Sequence, residues 1–338
     1  MNNYSIFISS ISKLLLGSGL AQAITIFTTI IIARFYSPIN FSEYGVYIAT
    51  ISIFLTFATA KLELALIQVS TYPEYKKILN SAIFVLIASA LIFITFTTQI
   101  YSLWLKDGAL IFIFLGMIAH GLTLIYSNLF SSQERYFEIG LFRIFGALTF
   151  AIISIGLGYN DIQTTVGLLI AALASQAIMA LLYMAFGKVP LTIIPISEIK
   201  LILHEYRDYW SLATISSLLN TVARQLPVIL FPIIFSPVIA GYYFFSQRIV
   251  AAPVNLLANS VGNVFRKSAT REYVEFGHFR EIFIFTLSRL FLIVLIVSVF
   301  IFLVIDENII SFIFGAEWVG VLFILKMMIV FYAFKLVI

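Results

Sequence analysis

Long apolar runs alternate with short polar connections along the whole chain. Ten stretches of mostly apolar residues can be drawn, at about 13–35, 43–60, 78–101, 109–131, 141–159, 163–186, 209–235, 238–262, 281–305 and 317–338. A helix needs about 20 such residues to cross the hydrocarbon core of a bilayer. Within 78–100, 109–133 and 162–187 there is no Asp, Glu, Lys or Arg at all. Backbone polar groups in lipid must be satisfied inside the segment, and strand-like alternation is missing, so each stretch predicts a helix. The pattern therefore predicts an all-α, polytopic membrane helix bundle of about ten transmembrane helices.

Residues 188–208 interrupt this pattern. Ile193, Ile194, Ile196, Ile199, Leu201, Ile202 and Leu203 are interleaved there with Glu198, Lys200, His204, Glu205 and Arg207. Such mixing predicts an amphipathic segment lying on the membrane surface. It divides an N-terminal lobe of six spans, 1–187, from a C-terminal lobe of four, 209–338. The lobes share a hairpin signature. Phe35-Tyr36-Ser37-Pro38 precedes Glu43-Tyr44-Gly45-Val46-Tyr47, and Ile234-Phe235-Ser236-Pro237 precedes Ile239-Ala240-Gly241-Tyr242-Tyr243. Repeated halves of one orientation are common in transporters. A second half that repeats the first would hold six spans, so two further helices are expected beyond the four found.

Composition agrees with the pattern. The chain has 338 residues, 62% hydrophobic and 11% charged, against about 25% charged in an average soluble domain. There is no cysteine, which excludes disulfides, iron–sulfur clusters and thiolate zinc sites. No phosphate-binding glycine loop occurs, so no built-in ATPase is expected. No cofactor and no metal are expected. The net charge of +4 does not point to nucleic acid, because the basic residues sit between apolar spans. With the N-terminus inside, the cytoplasmic connections hold Lys13, Lys61, Lys76, Lys77, Arg135, Arg143, Lys188, Lys200, Arg207, Arg266, Lys267, Arg271 and Arg280. The opposite side holds only Arg34 and Lys106. That bias predicts a cytoplasmic N-terminus.

Several short motifs carry a family resemblance. Leu16-Gly17-Ser18, then Ile32-Ala33-Arg34-Phe35-Tyr36-Ser37-Pro38 and Glu43-Tyr44-Gly45, resemble the opening of polysaccharide biosynthesis flippases. Those are O-antigen-unit flippases of the multidrug/oligosaccharidyl-lipid/polysaccharide exporter superfamily. Lys61-Leu62-Glu63-Leu64-Ala65-Leu66-Ile67 is similar to their basic-x-acidic-x-Ala-x-Ile signature. Gln225-Leu226-Pro227, Ala240-Gly241-Tyr242-Tyr243, Gln247-Arg248-Ile249 and Ala252-Pro253 resemble their seventh and eighth helices. Phe314-Gly315-Ala316-Glu317-Trp318 resembles the opening of their tenth. The resemblance implies flipping of an undecaprenyl-diphosphate-linked oligosaccharide, an O-antigen or capsule repeat unit, across the bacterial cytoplasmic (inner) membrane. Its implied partners are the lipid-linked oligosaccharide diphosphate, membrane lipids and a coupling ion, proton or sodium. Family members usually have twelve or fourteen helices, which again sets the four-span second lobe apart.

Polar residues fall on helical faces. Ser18, Gln22, Thr25 and Thr29 follow steps of four, three and four along the first span. Ser216, Asn220 and Arg224 share a face of the seventh, and Arg248, Asn255 and Asn259 share one of the eighth. Lipid does not tolerate such stripes, so they are expected to turn toward a shared substrate cavity, with Arg224 and Arg248 meeting the diphosphate. Arg289 is a further cavity candidate, with snorkelling as its alternative. Lys61 and Glu63 form a candidate charge pair. His120, Thr123 and Ser127 mark a polar face of the fourth span, where packing is the commoner role for a histidine. Pro227, Pro232 and Pro253 lie inside spans and predict kinks.

Three other functions suit an all-helical membrane protein. A glycan-modifying membrane enzyme would need a large external loop or clustered His and acid, but His120, His204 and His278 are isolated, so no enzyme is expected. A drug/cation antiporter of the same superfamily would need acids within spans, where the deep charges here are basic. An inactive truncated remnant is the third.

Overall fold

Fifteen α-helical and single-turn elements succeed one another among the described residues of the computed structural model, which are 3–69, 71–101, 109–160, 162–192, 194–251, 254, 278 and 280–337. No strand occurs among the described residues. The helices are α1 (Asn3–Ile32), α2 (Pro38–Leu55), α3 (Leu62–Gln68), α4 (Tyr72–Tyr101), α5 (Ala109–Ser132), α6 (Tyr136–Tyr159), α7 (Thr165–Gly187), α8 (Ile196–Glu205), α9 (Thr214–Ile234), α10 (237–251), α11 (Arg280–Val304), α12 (Glu307–Phe314) and α13 (Val321–Val337). A π-helical turn, Tyr209–Ala213, leads into α9, and a 3₁₀ turn, Ala316–Trp318, precedes α13. The protein is a multi-pass membrane helix bundle, and each of the ten predicted spans overlaps a helix, the eighth being described as helix only to residue 251.

Two ends of the bundle can be told apart. The α1–α2 and α9–α10 turns mark a hairpin end, and α8 marks the other. Local chemistry fixes the first hairpin. The Ser37 side chain accepts from the Asn40 N–H, the Asn40 side chain accepts from the Ser37 N–H at 3.0 Å, and Pro38 opens the helix. This capping box satisfies two orphan donors reciprocally, and proline at the first position needs no partner for its nitrogen. The Asn40 amide then donates to the Thr165 hydroxyl at 3.2 Å, and that hydroxyl donates to Glu43, so the cap also ties α2 to the start of α7.

Packing in the first six spans relies on close backbone approach. α1 runs along α6, and a Cβ on Gly17 would lie 2.5 Å from the Gly140 Cα. Small residues at such crossings let helices gain dispersion contact where lipid offers no hydrophobic drive. Between α1–α2 and α9–α10 the approach is closer still. A Cβ on Gly241 would sit 1.8 Å from the Pro38 carbonyl oxygen.

An aromatic cluster seals the hairpin end. Trp318 is 1% exposed, donates from Nε1 to the Ala33 carbonyl at 2.8 Å, and meets the Phe41 and Phe245 rings at 5.1 and 4.4 Å. Beside it, Arg34 Nε donates to the Ile313 carbonyl at 2.7 Å. Edge and tilted ring pairs of this kind add to plain area burial.

Two differences from the sequence reading stand out. Hydropathy carries the second span to residue 60, but α2 ends at Leu55, and the turn that follows places Ala60 and Lys61 in the left-handed region at φ 50° and 58°. The charge pattern assigns Arg143 to a connection, but it lies within α6, seven residues past Tyr136. The amphipathic reading of 188–208 corresponds to α8, which buries Ile199 and Ile202 and leaves Ile196 and Leu201 exposed.

Candidate functional site

The polar stripe of α1 faces a cavity of about 370 Å³. Ser18, Gln22 and Thr25 contribute from α1, Tyr44 from α2, His120 from α5, Arg143 and Phe150 from α6, Ser175 and Gln176 from α7, and Arg248 from α10. Helical steps of three and four explain why one face of α1 supplies so much of the wall.

Arg248 enters from the second group of helices and is held on several sides. Nε donates to the Thr29 hydroxyl at 2.9 Å and a terminal nitrogen donates to the Tyr44 hydroxyl at 3.1 Å. The guanidinium carbon lies 5.0 Å from the Phe150 ring centre and 5.4 Å from that of Tyr44. Cation–π contact at such range favours a charge that is partly desolvated. Thr29 is itself fully buried and donates to the Thr25 carbonyl at 2.7 Å, so the acceptor for Arg248 is fixed in place.

At the other limit of the cavity, Arg143 donates to the Ser18 hydroxyl at 2.7 Å. His120 lies between, with Nδ1 3.0 Å from the Gly116 carbonyl. That contact requires the proton on Nδ1, because a carbonyl can only accept. Its Nε2 is then the atom left to face the cavity. Among the described residues no aspartate or glutamate lines the space. A site with two guanidiniums attracts anions, and the surrounding low dielectric strengthens that attraction, while the neutral His120 ring adds an acceptor beside them.

Arg224 is placed elsewhere. With Asn220 it lines a separate cavity of about 540 Å³ between α9, α10 and α13, whose walls include Pro227, Phe231, Phe323, Met327, Met328 and Phe331. Arg224 and Asn220 are both exposed there. The structure thus brings Gln22, Thr25 and Arg248 together and sets Asn220 and Arg224 apart from them, in place of the one shared cavity expected. Helical spacing gives the face of each stripe but not which neighbour it meets, and α10 turns Arg248 to α1 while α9 turns Arg224 toward α13. Arg289 is exposed on α11 and lines neither cavity. Asn255 and Asn259 lie outside the described residues.

Lys61 and Glu63 lie 4.0 Å apart at the α2–α3 turn. Glu63 is 2% exposed and accepts from the Thr59 hydroxyl, and Lys61 also donates to the Ser217 hydroxyl of α9 at 3.3 Å. The pair therefore stands where the two groups of helices meet at the α8 end.

Arg143 and Gln176 went unrecognised as wall residues in the sequence. Arg143 lies seven residues past the first residue of α6, and hydropathy drew that span from 141, which left the arginine at its edge. The signal available was its helical register with Gly140, the residue against which α1 packs.

A family model described as polysaccharide biosynthesis protein matches residues 31–322. No curated protein matches the chain. A solved structure described as the inward-facing conformation of a multidrug resistance MATE family transporter of the MOP superfamily shares the fold, with TM-score 0.63 and 15% identity. The alignment covers 97% of this chain and 81% of that one.

Proposed function

The chain belongs to the polysaccharide biosynthesis protein family, and we propose that it is a flippase that carries a lipid-linked oligosaccharide diphosphate across the cytoplasmic membrane. The observation that carries this reading is a cavity with Arg143 and Arg248 on its walls and, among the described residues, no carboxylate. A diphosphate bridge between lipid and sugar is a compact dianion. Guanidinium groups bind such oxygens through charge-assisted hydrogen bonds. The neutral amides of Gln22 and Gln176 suit sugar hydroxyls. The second cavity, mostly apolar beside Arg224 and Asn220, suits the stretch of polyprenyl chain next to the diphosphate.

In this reading the N-terminus and α8 are cytoplasmic, and the hairpin end faces outward. Lobes 1–187 and 209–338 rock against each other across the linker 188–208, with the hairpin end sealed by Trp318 in the present state. A proton or sodium gradient, or the substrate gradient, supplies the drive. The substrate is an undecaprenyl-linked repeat unit of a surface polysaccharide such as O-antigen or capsule. A drug/cation antiporter is disfavoured by the sign of the charges lining the cavity.

The test is a flipping assay in liposomes that hold the purified chain and a fluorescent polyprenyl-diphosphate sugar. Arg248→Glu is expected to reduce translocation to the protein-free rate while the protein stays folded in the bilayer. Flipping at the wild-type rate in that variant overturns the assignment.

A further inference from the structure

We propose that Arg143 and Arg248 are successive stations for the anionic headgroup, Arg143 for capture and Arg248 for retention, rather than the two jaws of one clamp. The inference rests on the flippase reading and adds an order of events to it.

Both guanidiniums are tethered to α1, one at Ser18 and the other at Thr29. Eleven residues of helix separate these tethers, about 16 Å along the axis and almost on one face. Charge-assisted hydrogen bonds close at about 2.7–2.9 Å, and a diphosphate has only two phosphorus centres joined through one oxygen. While both tethers hold, it cannot bond both arginines at once. The uncharged Gln22 and Gln176 lie on the cavity wall with them and offer donors for the passage from one to the other.

Exposure sets the order. Arg143 is exposed and about 10 Å from the start of α6, at the end of the bundle that carries α8. Arg248 is half-buried and flanked by the Tyr44 and Phe150 rings. An anion arriving from the α8 end meets Arg143 first. An exposed charge of this kind acts on encounter rate, and a desolvated one on residence time.

The experiment is stopped-flow binding of farnesyl diphosphate to the full chain in nanodiscs. A capture station speeds entry and exit alike and leaves the final complex unchanged. Arg143→Gln is therefore expected to slow association and dissociation together, about tenfold, with Kd unchanged within about threefold. Its association rate should also lose salt dependence. Arg248→Gln is expected to raise Kd and the dissociation rate about tenfold or more while association is kept. Arg143→Lys, which retains the charge, should restore both rates and shows that loss of fold is not the cause. If Arg143→Gln raises Kd as much as Arg248→Gln, the two act as one clamp and the stations fall while the flippase reading stands. If Arg143→Gln alters neither rate, the capture role falls in the same way. Wild-type protein that does not bind farnesyl diphosphate overturns both readings.

Discussion

Arg248 on α10 donates to Thr29 on α1 at 2.9 Å, so the cation of one helical group is positioned by a buried hydroxyl of the other. A hydrogen bond to a charged group contributes about 1.5–3 kcal/mol. Thr29→Val keeps the shape and removes the acceptor. Translocation in the liposome assay is expected to fall about tenfold, with Thr29→Ser restoring it. Equal rates for the valine and wild-type proteins would show that Arg248 does not depend on this anchor.

The crossing of Gly241 over Pro38 leaves no space for a side chain. Gly241→Ala is expected to destabilise the protein by about 1–3 kcal/mol through overpacking, read as a lower midpoint in thermal unfolding in detergent. Gly156→Ala is the control, because nothing lies within 4 Å of its added Cβ, and a helical alanine there is favoured by up to about 1 kcal/mol.

Trp318 covers Ala33 at the hairpin end. The chain has no cysteine, so Ala33→Cys introduces a single thiol. Its labelling by a polar maleimide should be slow in that background and faster by an order of magnitude or so once Trp318→Ala is added, since truncating a buried tryptophan removes about 3–5 kcal/mol of packing. Unchanged labelling would mean that other contacts seal this end.

Orientation is open to direct measurement. A reporter fused after Asp208 should register the cytoplasm, and one inserted at Ser236 the exterior. The reverse pattern would invert the topology drawn from the lysines and arginines.

At α12, the Asp306 carboxylate accepts from the Ile309 N–H at 2.8 Å. That bond, with further help from Asn308, holds the carboxyl below its ordinary range. A lowered folded-state value stabilises the cap above the ordinary carboxylate pKa of about 4, and the effect is lost as pH falls through the lower folded value. Protection of Glu307–Phe314 against hydrogen exchange, taken relative to the intrinsic rate at each pH, should therefore be high at neutral pH and fall only in strong acid, whereas Asp306→Ala should lower it already at neutral pH and leave little further change in acid.

The spans were legible because hydropathy reports burial in lipid directly, and the capping chemistry of Ser37-Pro38 marks a true helix start. The break after Leu55 was not legible. Phe57, Ala58 and Ala60 are apolar, and the left-handed turn is made by Ala60 and Lys61 without glycine. The site was half legible. Ser18, Gln22, Thr25 and Thr29 announced a polar face on α1, and that face does meet a cavity. Its partners were hidden because side-chain stripes carry no record of which helix lies opposite. The charge pattern makes Arg143 a topology signal, and the polar stripes deep in their spans group Arg224 with Arg248 without showing which helix each one meets.

The contact between Gly241 and Pro38 joins main chain to main chain with no side chain interposed. Such a joint has no rotamers to unlock when one helix pair tilts over the other. Displacement about it is least at the joint itself and grows with distance, so a small angular change there becomes a wide gap at the far ends of the same helices. The place of tightest fit is thus the fulcrum about which the largest movement becomes possible.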